Sequence, residues 1–74
     1  MDAKKLGKKI KIARIECDIK QEQLAAALGT KQKSISRYET RATVPSLEAL
    51  GKISKVLKRP LSYFVDEFYE DDKP

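Results

Sequence analysis

Seventy-four residues, 36% charged and 41% hydrophobic, are enough for one small domain near the size at which a single core is only just sufficient. With no His and one Cys, Cys17, an internal disulfide is excluded and the usual zinc spacings are missing, so no metal and no cofactor are expected. No apolar run approaches membrane length, and residues 1 to 9 lack the apolar stretch of a signal peptide, which predicts a cytoplasmic chain with no membrane contact.

The elements read as helix after helix. Leu6, Ile10, Ala13 and Cys17 recur at steps of four, three and four, one face of a helix over about residues 3 to 17, with Cys17 as a small core residue. Asp18 interrupts it. Gln21 to Leu28 forms the next helix, with Leu24, Ala25 and Leu28 on one face and Gly29 as its stop. Thr30 is read as the N-cap of a third helix, 31 to 39, in which Ile35 and Tyr38 turn inward and Gln32, Lys33, Ser36 and Arg37 form the opposite stripe. After the loop RATVP, Ser46 caps a fourth helix carrying Leu47, Leu50, Ile53, Val56 and Leu57, with Lys55, Lys58 and Arg59 at its C-terminal dipole. Pro60 opens a fifth, with Leu61, Phe64, Val65 and Phe68 at i, i+3, i+4, i+7. The expected domain is 1–70, followed by an acidic, frayed tail, 71–74.

Charge is unevenly placed along the chain. Residues 1 to 65 carry fifteen Lys and Arg against six Asp and Glu, net +9, and the last nine carry one Lys against five acids, net −4. A basic body suits a polyanionic partner, although a solvated lysine surface gives the same count.

The second and third helices resolve that choice. Counting from Gln21, a small residue falls at the fifth position (Ala25), Gly at the ninth (Gly29), an aliphatic at the fifteenth (Ile35) and a large apolar residue at the eighteenth (Tyr38). Ala25 lets two helices cross closely, Gly29 turns the chain, and Ile35 and Tyr38 anchor the second helix. This is a helix-turn-helix whose polar stripe suits a major groove about 12 Å wide.

From LGKKIKIARIECDIKQEQLAAALGTKQKSISRYE through PSLEALGKISKVLKRPLSYF the chain resembles the lambda-repressor-like, XRE-type helix-turn-helix regulators of bacteria and phages. The features that carry the resemblance are an Arg in the first helix, Gln-x-x-Leu-Ala opening the second, Ile-Ser-x-x-Glu in the third and Pro-Ser opening the fourth. It implies an all-α, compact five-helix bundle with double-stranded DNA as partner. Three positions depart from the family pattern. Asp18 and Arg41 stand where Gly is common, and Lys20 replaces a Ser or Thr and has no acceptor for an N-cap.

Carried over by position, the resemblance assigns base contacts to Gln32, Lys33, Ser36 and Arg37, and phosphate contacts to Gln21, Lys31, Ser34, Arg41 and Thr43. It pairs Arg14 with Glu39 in a largely buried structural salt bridge. It further implies a homodimer on a palindromic operator, repression as the default sign, and residence in the bacterial nucleoid or a phage-infected cell. The family's dimer surface falls on Leu61, Tyr63, Phe64 and Val65. Ile12 and Ile15 stand where polar residues are usual, and either pack against Phe68 and Tyr69 or form a second dimer surface. With no His, no framed carboxylate pair and no Gly-rich phosphate loop, the chain reads as neither an enzyme nor a small-molecule binder. The alternative is a coactivator-bridge-like interaction module with only nonspecific DNA affinity, for which Gln32 and Arg37 would be dispensable.

Overall fold

A computed structural model describes the backbone of residues 3–40 and 42–68. The described residues form five helices and no strand: α1 (Ala3–Glu16), α2 (Gln21–Leu28), α3 (Gln32–Glu39), α4 (Leu47–Val56) and α5 (Leu61–Phe68). Helix α2 packs against α3, α1 against α3 and α5, and α4 against α2 and α5.

The apolar periodicities converge on one core. Leu6, Ile10 and Ala13 of α1 meet Leu24, Ala25, Ile35, Leu50, Ile53, Leu57 and Phe64, all buried. Each large side chain removed from water there contributes about 1.5–3 kcal/mol. Cys17 is half-buried at the core's edge, and its thiol donates to the Leu57 carbonyl at 3.1 Å. The ends of two patterns stay outside. Leu47 is 54% exposed and Leu61 37%, because each lies in the first turn of its helix, one step short of the core.

Three helices end in the same turn. At Gly29 (φ 72°) the next amide, that of Thr30, returns to the Ala25 carbonyl at 2.9 Å. At Asp18 (φ 59°) the Ile19 amide returns to Arg14 at 3.1 Å, and at Lys58 (φ 57°) the Arg59 amide returns to Ser54 at 3.0 Å. Each is a left-handed stop of the Schellman kind. Glycine adopts it without strain; Asp18 tolerates it, and Lys58 does so at a cost. The position of Lys58 is therefore a helix stop, a role its charge alone did not suggest.

The turn after α2 also corrects the start of α3. Thr30 is not the N-cap: its amide is still engaged with α2, so the chain needs one more residue, and Lys31 takes the capping position in an extended conformation. Thr30 Oγ1 instead donates to Ser34 Oγ at 3.2 Å. The cap expected at Ser46 is present, its Oγ accepting from the Ala49 amide at 3.1 Å.

The dimer candidates on α5 divide. Phe64 is completely buried, so it belongs to the core and not to a free surface. Tyr63 is half-buried, edge-on to Phe64, with Lys9 Nζ 4.9 Å and Arg59 Cζ 5.9 Å from its ring. Arg59 also reaches Glu16 at 2.7 Å, and that hydrogen bond raises the guanidinium pKa above its ordinary value. The side chain of Val65 lies outside the described residues, as do Tyr69 and the side chain of Phe68, so packing of Ile12 and Ile15 against them falls outside as well. Ile12 is 46% and Ile15 57% exposed.

Gly7 sets how closely α1 approaches α3. A Cβ there would stand 2.7 Å from the Tyr38 carbonyl oxygen and 2.9 Å from that of Glu39, backbone atoms that cannot move aside cheaply. Gly51, in α4, has nothing within 4 Å of the same position. The two alanine substitutions therefore have opposite signs. Gly51→Ala is expected to stabilise by about 1 kcal/mol through helix preference, and Gly7→Ala to destabilise by about 1–3 kcal/mol through overpacking. Urea unfolding of both variants checks this, and a Gly7→Ala protein as stable as the parent would contradict the close α1–α3 contact.

Candidate nucleic-acid interface

Helix α3 is fixed from beneath and free above. Ile35 is buried and Tyr38 half-buried, packed on the core, and they hold one face down. On the opposite arc Gln32, Lys33 and Arg37 are exposed and Ser36 is half-buried. The four candidate base-contacting side chains thus share one face, because residues three and four apart align on a helix. Ser34 is half-buried on the flank.

A chain of polar contacts runs from α1 to that face. Arg14, in α1, donates through Nε to Glu39 Oε2 at 2.6 Å, through Nη2 to Glu39 Oε1 at 3.2 Å and through Nη1 to the Ile19 carbonyl at 2.8 Å. The side chains are 11% and 2% exposed, so this is a buried ion pair with a bidentate geometry. Glu39 Oε1 also accepts from Gln21 Nε2 at 3.0 Å, and Gln21 Oε1 accepts from Gln32 Nε2 at 3.3 Å.

The carboxylate dictates the order of atoms along this chain. Glu39 only accepts, so Gln21 must present its NH₂ to it and its oxygen away from it; Gln32 must then present its NH₂ to Gln21. What remains on Gln32 is its oxygen and one N–H, and on Gln21 one N–H. Sequence reasoning placed Gln21 at a phosphate and missed its hold on Gln32, because the two lie on different helices eleven positions apart.

The remaining candidates lie around this centre. Lys31 is exposed at the N-cap of α3, and Thr43 is exposed in the following loop, its amide donating to the Arg37 carbonyl at 3.3 Å. Arg41 lies outside the described residues. Lys20 is the N-cap of α2. Its amide donates to Gln23 Oε1 at 2.8 Å, half of a capping box, but its side chain supplies no acceptor. Both helices of the pair therefore begin at a lysine.

Residues 10–64 match the Helix-turn-helix family, and α2 and α3 lie inside that span. The chain belongs to the XRE-type helix-turn-helix family. It is 38% identical over 60 residues to a Pyrococcus horikoshii protein assigned as an HTH-type transcriptional regulatory protein, a match covering 81% of this chain and 19% of that one. It is 36% identical over 62 residues to the ImmF control region 10 kDa protein of Bacillus phage phi105, covering 84% of this chain and 69% of the phage protein. The chain thus spans about a fifth of the length of the Pyrococcus relative. The match places the family's helix-turn-helix on α2 and α3, and among the described residues no helix is long and apolar enough to cross a membrane.

The lysine caps make a testable point about this family member. A cation at a helix N-terminus opposes the helix dipole and supplies no acceptor to the free amides. Lys20→Ser and Lys31→Ser are each expected to raise the unfolding free energy by about 1 kcal/mol, and Lys31→Ser, at a phosphate contact the resemblance implies, to weaken binding to DNA as well. Urea unfolding and a binding titration on the same variants measure both effects. A Ser variant that is less stable than the parent would show that the lysine side chains stabilise the free protein.

Proposed function

We propose that the chain is a sequence-specific double-stranded DNA-binding regulator, acting as a repressor, that reads the major groove with α3. Residues 1–70 act as one reading unit, with the acidic residues 71–74 outside it, in the cytoplasm at the nucleoid or in a phage-infected cell. Gln32, Lys33, Ser36 and Arg37 contact bases. Gln21, Lys31, Ser34, Arg41 and Thr43 grip phosphates, which fix register without carrying sequence information.

The observation that carries this reading is the Gln21–Gln32 contact. The oxygen and N–H that Gln32 has left match the N6 donor and N7 acceptor of adenine, and Gln21 keeps an N–H for a phosphate. Arg37 and Lys33, exposed on the same face, suit guanine. The protein works as a homodimer on a palindromic operator, with exposed Leu61 at the dimer surface and two copies of α3 one helical turn apart.

Sequencing of duplexes selected from a random pool at fixed physiological salt tests this. Two related half-sites with centres about 10 bp apart are expected. Arg37→Ala and Gln32→Ala should each relax one position of the half-site, by about 1–3 kcal/mol of discrimination. Lys31→Ala should weaken all sequences alike and lower the salt slope by about 1. Enrichment of no sequence would overturn the reading and favour a protein-interaction module with nonspecific DNA affinity.

A further inference from the structure

The outer face of α1 takes no part in the core or in the candidate DNA interface. On it Lys8, Ile12 and Ile15 fall at i, i+4 and i+7, pointing away from the buried stripe of Leu6, Ile10 and Ala13. Ile12 and Ile15 are 46% and 57% exposed. At Ile15 the face runs into an open cleft of about 370 Å³, lined also by Asp18, Ile19, Lys20 and Gln23. The two isoleucines, one turn apart and continuous with the cleft, form one apolar strip on the outer side of α1.

The charges around it choose the occupant. Lys8, Lys11 and Lys20 are exposed at its rim, and none is ion-paired with a described residue. Among the described acids near it, Glu16 is engaged by Arg59 and Asp18 lines the cleft. A second copy of the chain meeting this face across a two-fold axis would set two lysine-rimmed patches against each other, which like-charge repulsion opposes. Two isoleucines and a small cleft also fall well short of the roughly 800 Å² per partner of a stable dimer. They suit a short helix laid in a groove, read by apolar anchors three and four residues apart.

We propose that this face of α1 docks a short acidic amphipathic helix of another protein, its apolar side on Ile12, Ile15 and the cleft and its carboxylates on Lys8, Lys11 and Lys20. Because Lys20 directly precedes Gln21, the partner sits beside the helix-turn-helix without covering α3. The proposal rests on the surface of the free protein and not on the DNA-reading proposal, so the two fail independently.

The test uses the full chain, isotope-labelled, and two synthetic helical peptides of the same length, each with a leucine face, one otherwise rich in Glu and the other in Lys. The acidic peptide is expected to shift the resonances of Ile12, Ile15, Ile19 and Lys20 and to leave Lys33 and Arg37 unchanged, while the basic peptide shifts nothing. Ile12→Ser with Ile15→Ser, at two partly exposed positions and with the retained fold checked by the dispersion of the same spectra, should weaken the acidic peptide by about tenfold. Shifts confined to α3, or equal shifts with both peptides, would overturn the proposal. So would concentration-dependent sedimentation that the same double substitution abolishes, since a second copy would then be the occupant. Binding that emerges only after removal of residues 69–74 would assign the face to the chain's own acidic end.

Discussion

The ion pair between Arg14 and Glu39 is the constraint on which the arrangement of helices depends. A carboxylate with 2% of its side chain exposed is costly unless its oxygens are filled, and here Oε2 takes the Arg14 Nε while Oε1 is shared by Arg14 Nη2 and the Gln21 amide. Those partners come from α1 and α2, and the carboxylate from α3. The apolar core gives the bundle its cohesion, but hydrophobic contact tolerates small slips between helices. A buried charge with directional partners does not, and Gly7 allows α1 close enough to α3 for the contact to form.

From that pair the order of donors and acceptors passes outward to the helix surface. Glu39 fixes the orientation of the Gln21 amide, and Gln21 fixes that of Gln32. The Gln32 side chain, proposed above to read the edge of a base, is thereby held in one orientation before any ligand arrives, which lowers the ordering cost of binding. Elsewhere the same region gives up stability. The helix-turn-helix pair starts at Lys20 and Lys31, which cannot cap, whereas α4 starts at the well-capped Ser46. The weaker starts belong to the two helices that carry the candidate DNA contacts, and cations there are favourable only beside an anion.

Much of the fold was legible because local signals agreed with one another. In α2, Leu24, Ala25 and Leu28 mark one face and Gly29 marks the stop, and the helix has those bounds. Thr30 misled because a hydroxyl is the commonest signal of a helix start, while its amide was already committed to ending α2. Lys58 carries no local mark of a left-handed residue, and a Gly inside a helix, such as Gly7, gives no hint of what lies across from it. Phe64 was assigned to a surface by the family resemblance although its periodicity put it in the core, and the periodicity prevailed. The polar stripe of α3 could be read from spacing, but the link from Gln32 to Gln21 depends on how two helices cross.

The most direct test of the account is a double-mutant cycle on the central pair, Arg14→Met and Glu39→Leu, followed by urea unfolding. Either substitution alone leaves a buried charge without its partner, whereas both together leave apolar groups in its place. The account predicts a double variant more stable than either single one, with a coupling of about 1–3 kcal/mol. Strictly additive losses would contradict it, since Arg14 and Glu39 would then act independently and the orientation of α3 would have to come from the apolar core alone.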